Sequence, residues 1–248
     1  MKVSLISSTL SSNPMIRVYP FAKFLQDSCD VNVIGPLEKK KGLYPPLREE
    51  NLNITPIREE KFFPFYTKTM YKQYKAIDAD IIHAFKPKIY SYGLSLLKKF
   101  SRKTPIVLDL DDWESQYMLD NYFSMSPIKL AKFLLADMYM PESYFSKKFL
   151  EMLHKYADAI IIDSFPLQKL FGGTYIPSGA DVEKFDPEKI NGAKIRKKYN
   201  IGREDVLISF IGNPKVHKGI NDLIKVFYSL RKENENIKFL IVGADKND

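Results

Sequence analysis

The sequence contains a single cysteine, Cys29, among 248 residues. One cysteine excludes an intrachain disulfide and any metal site built from several cysteines, and it fits a reducing compartment. No uncharged apolar run approaches the roughly 18 residues that a membrane-spanning helix needs. Met1 and Lys2 lead directly into a strand-like segment without the layout of a signal peptide. Together these absences predict a cytoplasmic protein.

The local signatures of several protein classes are also absent. The first predicted strand is followed by serines rather than by a Gly-x-Gly-x-x-Gly motif, which argues against a dinucleotide-binding dehydrogenase. No Ser/His/Asp or Cys/His set has a recognisable local signature. No nucleic-acid-binding motif accompanies the basic residues, so we expect no nucleic-acid partner.

Positive charge is concentrated in the first part of the chain. Residues 1–103 carry 18 Lys and Arg against 9 Asp and Glu, whereas residues 104–248 carry 20 against 21. A basic face favours anionic partners such as phospholipid headgroups or a lipid-linked phosphate. A solvated, lysine-rich surface explains the same composition equally well, so both interpretations stay open.

Short apolar runs alternate with helical segments along the whole chain. The predicted strands are Val3–Ser7, Val31–Gly35, Asn53–Ile57, Asp80–Phe85, Pro105–Asp109, Ala159–Asp163, Thr174–Pro177, Val206–Ile211 and Ile237–Val242. The predicted helices are Met15–Ser28, Phe65–Ala76, Ile89–Phe100, Pro127–Tyr156 with a break at Pro141, Phe165–Phe171, Ile195–Tyr199 and Ile220–Glu233. This alternation predicts an α/β fold with a mainly parallel sheet covered by helices on both faces.

A polar stretch at Asp186-Pro187-Glu188 marks the predicted domain boundary. It separates a complete N-terminal domain, residues 1–185, from a second part, residues 186–248. The second part contains only a β-α-β unit, which buries too little apolar surface to fold alone. We therefore expect an incomplete second domain.

Four segments of the chain occur in an order and spacing known from one enzyme family. They are Ala79–Phe85, Ala157–Ser164, Tyr175–Pro187 and Gly212–Gly219. Together they resemble the GT-B glycosyltransferases, in particular family 4 of retaining, nucleotide-sugar-dependent enzymes. The resemblance implies a GT-B-like fold, with a complete N-terminal Rossmann-like domain and a second Rossmann-like domain truncated within its donor-binding part. It also implies transfer of a sugar from a nucleotide-sugar to an acceptor, with no metal or other cofactor.

The resemblance places the donor diphosphate at Gly212, Asn213, Lys215 and Lys218. A lysine beside a helix N-terminus stabilises the negative charge of a diphosphate leaving group, which favours Lys218. Gly212 permits a close backbone approach to the phosphates. Many relatives have arginine where this chain has Asn213, and Lys215 is the nearest cation. The alternative that both lysines merely cap a surface loop stays open.

Carboxylates at the end of a strand form the predicted acceptor side. Asp111 and Asp112 could orient or deprotonate an acceptor hydroxyl, and we predict them as catalytic residues. The family frequently has histidine where this chain has Asp111, so its role does not transfer from the resemblance. Asp109 and Asp111 also match an Asp-x-Asp metal motif superficially, but a simple strand end gives the same spacing. No metal ligands are predicted.

The turn after the first strand is rich in hydroxyl groups where the family has glycines. Ser8, Ser11 and Asn13 are the predicted acceptor-side loop residues. They could hydrogen-bond a sugar, or they could cap the helix that begins near Pro14.

The aromatic-rich region 123–149 could pack against the core, which we favour because most apolar helix stripes face the interior, or it could dock on a membrane. A peripheral position on the inner membrane face and a lipid-linked or polysaccharide acceptor are therefore expectations.

By itself the chain is expected to be inactive or weakly active. The alternative function is a non-catalytic acceptor-binding subunit of a split glycosyltransferase, with a separate chain supplying the missing donor half.

Overall fold

The computed structural model describes residues 1–48, 50–122, 125–137, 139–214 and 218–243. The chain divides into two compact units, Met1–Ala180 and Asp181–Asp248, whereas the boundary predicted from the sequence follows residue 185. A local turn explains the difference. The Asp181 carboxylate accepts the amides of Glu183 and Lys184, and the Asp181 carbonyl accepts the amide of Phe185. Residues 181–185 therefore form one local turn, and this turn lies wholly within the second unit.

The first unit is built on a seven-stranded parallel sheet in the order β3-β2-β1-β4-β5-β6-β7. Its strands are β1 Lys2–Ile6, β2 Asp30–Leu37, β3 Ile54–Arg58, β4 Ile81–Phe85, β5 Ile106–Leu110, β6 Ala159–Ile162 and β7 Thr174–Tyr175. Each of the seven overlaps one of the predicted strand segments, with ends that differ by up to two residues. The predicted α/β fold class with a parallel sheet is confirmed.

Helices connect these strands in turn. They are α1 Met15–Leu25, α2 Pro45–Arg48, α3 Tyr66–Ala76, α4 Leu94–Arg102, α5 Glu114–Tyr122, α6 Pro127–Asp137, α7 Tyr144–Met152 and α8 Phe165–Phe171. A π-helical turn, Ile89–Gly93, precedes α4, and a 3₁₀ turn, His154–Tyr156, follows α7. The sequence analysis did not predict α2 or α5.

The central strands are buried on both faces, as expected for a parallel sheet covered by helices. Leu5 of β1 packs with the α1 residues Met15 and Val18 on one face. Ile6 and Ile82 pack with Leu94 on another side of the core. The apolar core therefore packs against the same strands whose carboxyl ends form the candidate functional site.

The predicted core packing of region 123–149 is wrong for α6. Ile128 and Leu135 of this helix are exposed. Among the α6 side chains that the structure describes, only that of Asp137 is buried. Helix α7 buries Leu150 but leaves Phe145 and Phe149 exposed. Residues 123, 124 and 138 lie outside the described residues. Helix α7 contributes one face to the core, and α6 does not.

The second unit contains a β-α-β segment, as the sequence predicts. Its elements are α9 Gly192–Lys198, β8 Val206–Ile211, α10 Ile220–Glu233 and β9 Ile237–Val242. Strands β8 and β9 pair in parallel from Val206–Ile237 to Ile211–Val242. The amphipathic helix α10 crosses between them, and Phe227 stacks on Phe239 of β9.

Candidate functional site

The carboxyl edge of the first sheet brings several loops together. Strands β1, β4 and β5 are neighbours in the sheet and run in the same direction. The loops that follow them, beginning at Ser7, Lys86 and Asp111, therefore emerge side by side. Ligands of open α/β sheets bind at this edge.

Lys86 organises the charged groups at this edge. It follows β4 directly and has a left-handed backbone, with φ 70°, which is uncommon for a residue other than glycine. Its ammonium lies 2.9 Å from Asp111 Oδ1 and 2.9 Å from Glu114 Oε1, and it also contacts Asp112. The structure thus brings the two predicted catalytic residues, Asp111 and Asp112, together around one lysine that the sequence analysis missed.

Two further lysines extend the group. Lys147 Nζ lies 3.2 Å from Glu114 Oε2, and Lys88 Nζ lies 2.8 Å from Glu142 Oε2 and 3.7 Å from Glu114 Oε2. We call the group the Lys86 cluster; it consists of Lys86, Lys88, Asp111, Asp112, Glu114, Glu142 and Lys147. Because positive and negative groups alternate, each buried charge has a partner of opposite sign.

The carboxyl groups of the cluster differ in pKa. Burial raises the pKa of Asp111, and the nearby Lys86 only partly offsets this effect. Burial alone would also raise the pKa of Glu114, but Lys88, Lys86 and Lys147 outweigh it and lower this pKa to about 2. Glu114 therefore stays ionised, whereas Asp111 takes up a proton more readily than an ordinary aspartate. That property suits a general base.

A second buried ion pair lies at the end of β5. Asp109 Oδ1 lies 2.9 Å from Arg17 Nε, and Asp109 Oδ2 lies 3.3 Å from His83 Nε2. Arg17 also donates to the Ile176 carbonyl at 2.9 Å and to Ser178 Oγ at 3.2 Å. The carboxylate of Asp109 is thus held by Arg17 and His83, whereas that of Asp111 faces Lys86.

The predicted acceptor-side loop follows β1 at the same edge. Ser11 Oγ accepts the Glu38 amide at 3.0 Å, so this hydroxyl has a structural partner. Asn13 is exposed, and the N-cap residue of α1 is Pro14, with no side-chain capping bond. Ser8 is buried, and its Oγ has no hydrogen-bond partner among the described residues. Of the two serine hydroxyls, that of Ser11 is engaged and that of Ser8 is enclosed without a partner in the described ranges.

Glycines bring two backbone turns together in the second unit. Gly212 follows β8 with φ 131°, and its amide donates to the Val242 carbonyl at 2.8 Å. Gly243 follows β9 with φ 101°. A Cβ at Gly243 would lie 3.0 Å from the Gly212 carbonyl oxygen, so this approach requires glycine.

Lys218 lies beside Gly212, before the start of α10. A Cβ built on Gly212 would lie 3.7 Å from Lys218 Nζ, and the lysine is exposed. Helix α10 begins after Gly219, whose φ is 74°, and no side chain of the described residues caps its N-terminus. Unpaired amides and a nearby ammonium together favour an anion. Asn213 is exposed in the same loop, and Lys215 lies outside the described residues.

Two features are absent from the described residues. No group of three or more His, Cys, Asp or Glu side chains in the described ranges is arranged to hold a metal ion. None of the described helices combines the length and apolar character needed to cross a bilayer.

No family model and no curated protein matches the sequence. Solved structures do resemble the fold. One UDP-N-acetylglucosamine 2-epimerase has a TM-score of 0.55 at 13% identity, over 96% of this chain and 62% of that one. HepE of Anabaena, in complex with UDP-glucose, has a TM-score of 0.51 at 14% identity, over 98% and 69%.

An alpha-glucosyltransferase in complex with UDP-glucose and DNA containing an abasic site has a TM-score of 0.50 at 12% identity, over 99% of this chain and 57% of that one. This chain therefore spans between 57% and 69% of the lengths of the three structures. Identities this low establish the fold alone. The GT-B-like, Rossmann-like fold class expected from the sequence is confirmed.

Proposed function

We propose that this chain belongs to a glycosyltransferase of the GT-B type, which moves a sugar from a nucleotide-sugar to an acceptor. One observation carries the proposal: the Lys218 ammonium lies beside Gly212, and Lys218 shortly precedes α10, whose N-terminus is capped by no side chain of the described residues. A diphosphate leaving group gains negative charge as the glycosidic bond breaks. A cation and free helix amides at that position stabilise this charge.

The fold supports the choice of donor. HepE and the alpha-glucosyltransferase are similar in fold to this chain, and both were solved with UDP-glucose. We therefore take a nucleotide-sugar as the donor and assign Gly212, Asn213, Lys215 and Lys218 to its diphosphate. Retention of configuration is part of the proposal and rests on the family resemblance.

On the acceptor side, Asp111 is the proposed base. Its raised pKa favours uptake of a proton from an acceptor hydroxyl. Asp112, which is largely exposed, would bind a second hydroxyl, and Ser8 Oγ would hydrogen-bond the acceptor from the loop after β1.

A nucleotide-sugar epimerase is the second candidate. The observation that favours it is the TM-score of 0.55 with a UDP-N-acetylglucosamine 2-epimerase. Both candidates need a diphosphate site, so the first experiment tests what they share. The expected weak turnover of the chain remains a prediction, and binding is therefore measured before turnover.

Calorimetric titration of the chain with UDP, GDP, ADP and UMP tests the shared site. We expect one nucleoside diphosphate to bind more tightly than the others. We also expect UMP to bind less tightly than UDP, because it lacks the second phosphate. Lys218→Ala should weaken diphosphate binding about 10- to 100-fold, the loss expected for one charge-assisted hydrogen bond. Lys232→Ala is the matched control, since Lys232 is exposed in the last turn of the same helix.

Two results would contradict the assignment: equal affinities of the Lys218→Ala variant and the unchanged chain, or no binding of any nucleoside diphosphate. Incubation of the binding nucleotide's sugar conjugates with candidate acceptors then separates the candidates. Transfer yields free nucleoside diphosphate and a new glycoside, whereas epimerisation yields an isomeric nucleotide-sugar. Copurification of a separate chain needed for donor binding would instead support the split-enzyme alternative.

A further inference from the structure

Helices α3, α4 and α7 form an apolar groove on the surface of the first unit. Two adjoining cavities of about 280 and 320 Å³ lie along it, and Met70 and Leu97 line both. Large side chains stand exposed on the groove: Tyr71 is 61%, Leu97 52%, Phe100 66% and Phe149 59% exposed. So much exposed apolar surface in one place is typical of an interaction site.

The helices around this groove are strongly basic. They carry eight cationic residues: Lys68, Lys72, Lys75, Lys98, Lys99, Arg102, Lys147 and Lys148. Their one acidic residue, Glu151, is buried and hydrogen-bonded to Ser115. Lys147 and Lys99 have acidic partners in Glu114 and Asp158. Lys98 and Lys147 are buried, so the exposed positive charge of these helices comes from Lys68, Lys72, Lys75, Arg102 and Lys148.

Two lysines also contact aromatic rings of α3. Lys98 Nζ lies 4.3 Å from the ring centre of Tyr74, and Lys75 Nζ lies 5.6 Å from that of Tyr71. Lys68, Lys72 and Lys75 of α3 are exposed. An apolar stripe flanked by lysines on amphipathic helices matches the layered chemistry of a membrane surface, with negative headgroups above acyl chains.

We infer that this face binds an anionic lipid bilayer. We name it the docking face and define it by Tyr71, Leu97, Phe100, Phe149 and the lysines of α3. In the bound state the four apolar side chains enter the region between headgroups and acyl chains, while the lysines contact the negative headgroups. Charge argues against a second copy of the chain as occupant, because a symmetric pair would place lysines against lysines.

Vesicle cosedimentation tests the inference with the full chain and without any nucleotide, so its result is independent of the proposed function. The probes are vesicles of phosphatidylcholine alone and of phosphatidylcholine with 30% phosphatidylglycerol, each at about 0.05 and 0.5 M salt. We expect binding to the anionic vesicles at low salt, weaker binding at high salt, and little binding to phosphatidylcholine alone.

Two variants separate the charged and apolar parts of the docking face. Lys68→Gln with Lys72→Gln should lower the partition coefficient about 25-fold, at about fivefold for each lysine. Phe100→Ser with Phe149→Ser should lower it at least about tenfold, because two aromatic anchors are lost. Phe24→Ser is the control, since Phe24 of α1 is 75% exposed and lies outside the docking face. All these positions are exposed, and circular dichroism spectra should stay unchanged.

The inference is overturned if the chain does not bind anionic vesicles, or if the Phe100/Phe149 variant binds as tightly as the unchanged chain. In the second case the binding would be charge attraction without docking. An acidic peptide tests the alternative occupant. If the peptide binds saturably and abolishes sedimentation with vesicles, and vesicles fail to displace it, the docking face binds a protein partner. That result would equally overturn the inference.

Discussion

The Arg17 guanidinium lies 2.9 Å from the Asp109 carboxylate, and both side chains are almost completely buried, at 4% and 1% exposed. This pair connects α1 to the end of β5. Through the bonds of Arg17 to Ile176 and Ser178, it also holds the segment that follows β7. One arginine thus fastens three parts of the first unit at the edge where the acceptor site is proposed.

Arg17→Met should strongly destabilise the first unit. Removal of the arginine leaves the Asp109 carboxylate buried without its main partner, which typically costs about 3–5 kcal/mol. Urea unfolding followed by fluorescence measures the loss, because Trp113 is the single tryptophan and lies in this unit. Lys2→Met is the control: it breaks the exposed Lys2–Asp78 pair and should barely move the midpoint. Equal midpoints for the two variants would contradict the role given to Arg17.

Glu114 should make the stability of the first unit depend on acid. Its pKa falls from an ordinary 4.5 to about 2 in the folded chain. The unfolded chain therefore binds a proton that the folded chain does not, and stability is lost as the pH falls from about 5 towards 2. At neutral pH the contribution is about 3 kcal/mol. Glu114→Gln should lower the free energy of unfolding most above pH 5. The difference in this free energy between the variant and the unchanged chain should shrink as the pH falls.

Asp111 should change the stability of the first unit with pH in the opposite direction. Burial raises its pKa in the folded chain, so the folded chain takes up this proton at a higher pH than the unfolded chain, and protonation adds stability as the pH falls. Asp111→Asn should therefore stabilise the unit at neutral pH, where the buried charge is unfavourable, and should lose that advantage in acid. Unfolding midpoints of the two variants across the same pH series check the opposite signs. A parallel pH dependence of both variants would contradict the assignment.

Gly243→Ala should loosen the strand pair of the second unit. The added Cβ would lie 3.0 Å from the Gly212 carbonyl oxygen, and alanine is strained at φ 101°. Hydrogen exchange in β8 and β9, measured by mass spectrometry, should accelerate. Gly192→Ala is the matched control, because a Cβ there meets nothing within 4 Å and alanine favours a helix over glycine. Unchanged exchange in Gly243→Ala would show that the turns adapt to the methyl group.

The sequence predicted the strands well because a parallel strand carries its own signal. β4 and β5 are mainly apolar, with His83 and Asp109 as the polar exceptions, and burial on both faces favours that pattern. The charged edge was only half predicted. Asp111 was found from its position after β5, whereas Lys86 occupies the equivalent position after β4 and was overlooked. Inspection of every residue that directly follows a strand would have found it.

Helix α5 was not predicted because the residue that caps its start lies far away in the sequence. The amide and hydroxyl of Ser115 both donate to the Glu151 carboxylate, which belongs to α7, 36 positions later. An N-terminal cap from the helix's own neighbours can be seen in a sequence, but a cap from another helix cannot. The ion pairs of Arg17 and Lys147 were missed for the same reason, since their partners lie on other elements.

Glu151→Gln should therefore weaken the start of α5 and its contact with α7. Glutamine has one acceptor oxygen where the carboxylate has two, so one of the two Ser115 donors is left without an acceptor in a buried site. The expected loss is about 1–3 kcal/mol in urea unfolding. Ser115→Ala should lose less stability, because it removes the hydroxyl and keeps the hydrogen bond from the backbone amide of residue 115. If the Glu151→Gln variant exchanged its α5 amides no faster than the unchanged chain, Glu151 would not be the cap of this helix.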